Sequence, residues 1–211
     1  MFNAKWELPQ WVMILAMFVL AAITWPAAPE RIPIHWNIAG EVDSQAGRFG
    51  GLLALPLLAL GLYFFLLAVP LLDRERLRHP GFAGPFALIR TGTILLLGAI
   101  YLATHLLIRG VRVDMSMIVG IGVGVLFGIL GIALHRMPTD GPPAFSTPWV
   151  IKTPQARRRV QTIAGRVFGL TGLAVAVAAL IDPVLLFGSI IGGSVVASAL
   201  ILVYSYRVSK E

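Results

Sequence analysis

The chain has 211 residues, 57% hydrophobic and only 13% charged, with a mean hydropathy of +0.84. Soluble domains carry about 25% charged residues, so this chain has too little polar matter to coat a globule, which excludes a soluble protein. The net charge of +7 would suggest nucleic acid in a soluble chain. In a membrane protein it reads as an excess of Lys and Arg in cytoplasmic loops, and no direct nucleic-acid partner is expected. The absence of cysteine excludes disulfides, thiolate metal sites and cysteine nucleophiles.

A spanning helix needs about 20 mainly apolar residues, and six runs in the chain qualify. The first covers residues 8–27, with Trp6, Trp11 and Trp25 at interface-like positions. A single Lys5 precedes it and no A-x-A site follows, so it is expected to be a retained helix and not a cleaved signal. The second run covers 51–72, the third 82–107, the fourth 115–135, the fifth 163–181 and the sixth 183–206. Asp182-Pro183 separates the last two and predicts a tight hairpin. Of the Lys and Arg residues, 13 fall on one side of this arrangement and 4 on the other. That bias puts both termini in the cytoplasm. The predicted fold class is therefore an all-α integral membrane protein, a six-transmembrane-helix bundle with both termini cytoplasmic.

Two connecting segments carry more specialised residues than a simple loop needs. Residues 31–51 read R-I-P-I-H-W-N-I-A-G-E-V-D-S-Q-A-G-R-F-G-G. Pro33 fixes its own φ and pushes Ile32 towards extended geometry. His35, Trp36 and Asn37 place three hydrogen-bonding side chains in a row, Gly40 allows a turn, and Glu41 and Asp43 follow. The segment reads either as a recognition loop or as a cap whose side chains bond one another. One histidine with two carboxylates makes a weak metal site beside the three or four converging ligands of zinc, so no metal or other cofactor is expected. The opposite segment, 136–160, contains Pro138, Gly141, Pro142 and Pro143, then Phe145 to Trp149 around a rigid turn, then Lys152 and the triplet Arg157-Arg158-Arg159 just before the fifth run. It reads as an anchor on anionic lipid or as a docking site for a cytoplasmic partner.

Within the runs, Arg90 sits about two turns into the third. A charge there costs at least about 2.5 kcal/mol unless it snorkels or pairs, and both outcomes are open. No acidic residue lies deep in an apolar run, which argues against a proton relay. His79, His105 and His135 are scattered and read as packing or interfacial residues. Gly120, Gly124 and Gly128 recur every four residues, as do Gly165 with Gly169 and Gly188 with Gly192. Small residues at this spacing let helix backbones approach closely in lipid, inside the bundle or at a dimer face. No nucleophile elbow, phosphate loop or dinucleotide fingerprint is present, so catalysis is not expected.

The run Ile32-Pro33-Ile34-His35-Trp36-Asn37, with Gly40-Glu41 and Asp43, resembles the I-P-x-H-[FW]-N-x-x-G-x-x-[DN] signature of a small bacterial membrane domain. That domain is often the N-terminal part of SdpI-type immunity proteins. Thr147-Pro148-Trp149 is similar to the T-P-W element in the C-terminal half of the same family. Around it the chain departs from the family pattern: Ala144, Phe145 and Ser146 replace G-I-R, Arg157 stands in place of a second Trp, and Val160-Gln161 replace T-H. The resemblance implies a multi-pass protein of the bacterial cell membrane that gives immunity to a secreted, membrane-active peptide toxin. It also implies a signalling role in which a cytoplasmic repressor is held at the membrane. Residues 1–80 would form a two-helix domain with the outer loop, and 81–211 a four-helix region with the inner loop. The outer loop, with His35, Trp36, Asn37, Gly40, Glu41 and Asp43, would recognise toxin or ligand. The inner loop, with Thr147, Pro148, Trp149, Arg157, Arg158 and Arg159, would dock a partner or lipid. A small transporter or envelope-maintenance protein, with a polar cavity around Arg90 and His105, is the alternative; a metal-dependent membrane enzyme using His35 is a weaker one.

Overall fold

A computed structural model describes residues 4–69, 79–140, 147, 149 and 152–210. Six long helices run up and down: α1 (Ala4–Thr24), α2 (Arg48–Ala68), α3 (Ala83–Ile108), α4 (Met115–Arg136), α5 (Pro154–Ala179) and α6 (Pro183–Ser209). Each is long and apolar enough to cross a membrane. Large apolar side chains such as Leu15, Phe65, Leu170 and Val195 remain exposed on their outer faces, where lipid rather than water suits them. Between α1 and α2 lies the one departure from an all-helical plan among the described residues, an antiparallel hairpin of β1 (Ile32–Trp36) and β2 (Val42–Ala46). The hairpin marks one end of the bundle and the two termini the other.

Local chemistry sets the helix ends. Asp114, Thr153 and Asp182 each accept a hydrogen bond from the backbone N–H three residues on, at 2.9, 3.1 and 2.9 Å, as N-cap residues do. Pro154 and Pro183 occupy first helical positions, where a missing N–H costs nothing. Gly110, with φ of 78°, ends α3: its N–H reaches the Leu107 carbonyl at 2.9 Å and that of Val111 reaches Leu106 at 3.0 Å, a Schellman closure.

The start of α5 corrects one expectation. The apolar run begins at residue 163, but the helix begins nine residues earlier at Pro154. Arg157, Arg158 and Arg159 are therefore not in a loop before the helix; they form part of its first two turns. Hydropathy registers only the membrane-buried stretch, whereas the Thr153 cap and Pro154 define where the backbone turns helical. The other inner-loop residues divide. Thr147 and Trp149 are described, while Pro148 lies outside the described residues, as do Phe145, Ser146 and Arg74, Arg76 and Arg78 of the 69–79 connection.

The first three helices share a core of Ile14, Met17, Ala21, Leu52, Ala59, Tyr63, Ile94 and Tyr101, which Ile32 of the hairpin joins. Of the last three, α4 and α5 pack through glycine. A Cβ on Gly131 would come within 2.5 Å of the Gly165 carbonyl oxygen, and one on Gly165 within 2.7 Å of the Gly131 oxygen. These glycines serve contacts inside the bundle. The inward positions of α4 are Gly120, Gly124 and Gly131, whereas a Cβ on Gly128 would meet nothing within 4 Å. A helix turns about 100° per residue, so steps of four drift about 40° each and carry Gly128 off the seam, while the step of seven from Gly124 returns to it.

Pro56 sits inside α2 and is buried. Having no N–H, it frees the carbonyl of Leu52 one turn back. The Tyr101 hydroxyl donates to that oxygen at 2.8 Å, so a backbone group that lipid could not satisfy is satisfied from α3. Tyr101→Phe should destabilise the protein by about 1–3 kcal/mol, the cost of orphaning a buried acceptor, measured by thermal unfolding in detergent. A Pro56→Ala background, which restores the helical donor, should remove most of that loss.

Candidate functional site

Ile32 is fully buried against Gly51 of α2, where any side chain would overlap it. This contact pins β1 across the start of α2. The register pairs Ile32 with Ala46, Pro33 with Gln45, His35 with Ser44 and Trp36 with Val42. At the tip the Gly40 N–H donates to the Asn37 carbonyl at 2.9 Å, and the Asn37 N–H to that of Glu41 at 2.9 Å. Gly40 has φ of 82°, a left-handed conformation that glycine adopts without strain. A Cβ there would also lie 2.9 Å from Ser116 Oγ at the start of α4.

The signature residues are bonded to each other. His35 Nδ1 donates to Asp43 Oδ1 at 2.6 Å across the two strands. The Asn37 side chain brackets the turn: its oxygen accepts from the Glu41 N–H at 3.0 Å, and its amide donates to Glu41 Oε2 at 3.2 Å. The spacing of His, Asn, Gly, Glu and Asp is thus the bonding pattern of one hairpin. His35, Glu41 and Asp43 are solvent-exposed, and Trp36, Asn37 and Gly40 half-buried. The structure brings all six together in one β-hairpin. Among the described residues no three His, Asp or Glu side chains converge as metal ligands would.

Beneath the hairpin is a cleft of about 300 Å³ with predominantly apolar walls. Pro33, Ile34 and Trp36 roof it, Leu55 and Leu58 of α2 form one wall, and Ile100 of α3 the other. A rigid polar hairpin above an apolar cleft suits a ligand that is itself amphipathic, with apolar groups that can leave lipid for the cleft.

A second constellation, missed at the level of sequence, lies towards the terminal end. Arg90 is 4% exposed, Glu7 8% and Gln10 1%. Arg90 forms an ion pair with Glu7 Oε1 and also donates through Nε to Gln10 Oε1 at 3.3 Å. The Tyr63 hydroxyl donates to Glu7 Oε2 at 2.9 Å and accepts from the Trp11 indole at 3.1 Å. Gln10 donates to Thr91 Oγ1 at 3.0 Å and to the Trp6 carbonyl at 2.7 Å. The guanidinium also lies 5.9 Å from the Tyr63 ring centre, within cation–π range. Of the two outcomes open for Arg90, the structure adopts pairing. The apolar runs contain no deep acidic residue, yet a carboxylate is buried: Glu7 falls just before the first run, and α1 starts at Ala4 and carries it inside. Glu7 and Gln10, three apart and so on one helix face, were the available signal.

His105 is 2% exposed and donates through Nδ1 to the Tyr101 carbonyl at 3.0 Å, one turn back on α3. It is 15 residues from Arg90, roughly 22 Å along a helix, so the two do not share one polar cavity. His79 accepts from the Gly81 N–H at 3.3 Å and meets Asp140 at 3.2 Å.

At the terminal end, the Trp149 indole donates to Ser205 Oγ of α6 at 3.2 Å, and its ring lies 5.2 Å from that of Tyr206. Thr147 Oγ1 donates to the Trp149 carbonyl at 2.6 Å. Trp149 packs on Val160 and Val208, joining the ends of α5 and α6. Arg158 donates to the His135 carbonyl of α4 at 2.8 Å, and Gln161 to the Pro138 carbonyl at 3.4 Å.

Residues 12–60, from α1 through the hairpin into α2, match the family model described as "Domain of unknown function (DUF1648)". Over 168 residues, 79% of this chain and 77% of the relative, the sequence is 22% identical to the Immunity protein SdpI of Bacillus subtilis (strain 168). Over 48 residues, 23% of this chain and 53% of the relative, it is 31% identical to the uncharacterized membrane protein YbgB of the same organism. No solved structure matches. With six helices able to cross a membrane, these likenesses make the chain a multi-pass bacterial membrane protein.

Proposed function

We propose that this chain, a membrane protein of the SdpI type, confers immunity by binding a secreted, membrane-active peptide at the hairpin end. The observation that carries the reading is the pairing of a hairpin whose polar groups are locked to each other, His35 to Asp43 and Asn37 to Glu41, with the apolar cleft it roofs. A peptide that partitions into a bilayer carries both kinds of surface. The excess of Lys and Arg at the terminal end supports an orientation with the hairpin outside and both termini cytoplasmic, so the site would face an arriving toxin. The likeness to an immunity protein supports a role in binding rather than catalysis. Holding a cytoplasmic repressor, which the resemblance implies, would fall to the terminal end, where Trp149 is committed to packing.

The test is survival of a sensitive strain expressing the protein, challenged with purified Sdp-type toxin and with other membrane-active peptides. Expression should protect against at least one of them. The double variant His35→Ala/Asn37→Ala should reach the membrane at normal levels yet weaken peptide binding by about thirtyfold, the loss expected of central contacts worth about 2 kcal/mol, and protection should fall with it. Full protection by that variant would remove the hairpin from the site, and no protection by the unaltered protein against any peptide would overturn the immunity reading.

A further inference from the structure

On the outer flank of the α4–α5 seam, towards the terminal end, runs an open groove of about 410 Å³. Gly128 and Gly169 border it, and a Cβ on either would meet nothing within 4 Å. The internal seam makes no use of these two glycines; their missing side chains leave the groove open. Arg136 at the end of α4 and Arg166 in the fourth turn of α5 stand at its rim, with the His135 ring and the Thr162 hydroxyl beside them. Both arginines are exposed. Among the described residues neither forms an ion pair, and no carboxylate lines the groove. Arg166 lies within the apolar stretch of α5 that begins at residue 163. A charge on the outer face of a spanning helix is costly unless it snorkels or meets a counter-charge.

We infer that this groove holds an anionic phospholipid, with its phosphate at Arg136 and Arg166 and one acyl chain lying along Gly128 and Gly169. Two cations on one groove without a carboxylate favour a negative occupant. A guanidinium fork fits phosphate oxygens two at a time, and the imidazole of His135 and the hydroxyl of Thr162 are further donors. The surroundings favour a lipid over a dissolved phosphate compound. Away from the arginines the groove is bounded by glycine backbone and by Ile132, itself 49% exposed on the flank of a spanning helix. That part of the surface faces hydrocarbon, not water. Backbone covered only by glycine hydrogens lets a methylene chain come into close van der Waals contact along its length. The site is separate from the hairpin and independent of the peptide reading.

The test uses the full chain, purified in detergent, with phosphatidylglycerol and phosphatidylcholine titrated in and bound lipid counted by native mass spectrometry. Phosphatidylglycerol should bind in preference. The variant Arg136→Gln/Arg166→Gln should weaken it roughly twenty-five-fold, about fivefold for each cation near the membrane surface, and leave phosphatidylcholine unchanged. The variant Gly128→Leu/Gly169→Leu keeps both arginines but fills the groove, so it should weaken both lipids without lowering the unfolding temperature. A control, Arg207→Gln/Lys210→Gln, removes the same charge at the same end of the bundle and should retain most of the preference. Millimolar inorganic phosphate should not displace the lipid. Equal loss in the control would reduce the effect to general surface charge and overturn the site. Unchanged binding in the glycine variant would overturn the groove as the seat of the acyl chain. Displacement by phosphate alone would assign the arginines to a soluble phosphate instead.

Discussion

Replacing Arg90 with Gln will destabilise the protein by about 3–5 kcal/mol, and Glu7→Gln will do much the same. Removal of one partner of a buried ion pair leaves the other charged and uncompensated in a low-dielectric interior, and this sets the magnitude. Arg90 and Glu7 are 4% and 8% exposed, so water cannot take over the lost interaction. The double variant Glu7→Gln/Arg90→Gln buries no charge and keeps amides able to bond Tyr63 and Gln10. Its loss should fall well short of the sum of the singles, giving a coupling of about 2–3 kcal/mol. Thermal unfolding followed by tryptophan fluorescence is a suitable readout, because the Trp11 indole is bonded to Tyr63 inside the cluster. Strict additivity would mean that the charges do not hold one another and that Arg90 reaches water. Since α1, α2 and α3 each contribute a member, the single variants should loosen the helices that carry the hairpin, and the protection proposed above should decline with stability.

The second large effect is expected where α4 meets α5. Gly131→Leu or Gly165→Leu forces a side chain into a space where even a Cβ would lie 2.5 or 2.7 Å from a carbonyl oxygen of the facing helix. The obstacle is backbone, which cannot rotate aside, so the helices must separate. The cost should be at least the roughly 1–3 kcal/mol of ordinary overpacking, seen as a lowered unfolding temperature. Gly128→Leu and Gly169→Leu supply the comparison on the same two helices, since a Cβ at either position meets nothing within 4 Å; these should be close to neutral. A loss of the same size at Gly128 or Gly169 would show that lipid-facing or intermolecular packing, and not the internal contact, governs these glycines.

Much of this architecture was legible in the chain. Six apolar runs predict six spans, because a bilayer imposes one length on every helix that crosses it. The Asp182-Pro183 pair marks the last turn, because an N-cap followed by proline starts a helix whatever surrounds it. The hairpin signature is readable as a pattern, since His35, Asn37, Gly40, Glu41 and Asp43 are near neighbours in sequence and bond within one turn and one strand pair. The start of α5 was misplaced because hydropathy follows the membrane and not the helix; the Thr153-Pro154 signal lay outside the apolar run.

What only the tertiary structure decided involves partners far apart in the chain. Arg90 could snorkel or pair, and the choice depends on Glu7, 83 residues away, being carried onto the facing side of α1. Which glycines form the α4–α5 seam follows from helix phase and from the register of two helices, neither of which a four-residue repeat specifies. The apolar cleft under the hairpin is assembled from three separate elements, β1, α2 and α3. Sequence determines the local bonds and the length of each span, because those depend on neighbours and on the bilayer. Buried polar groups must be satisfied by whatever side chain arrives opposite them, and that is settled only when the helices pack.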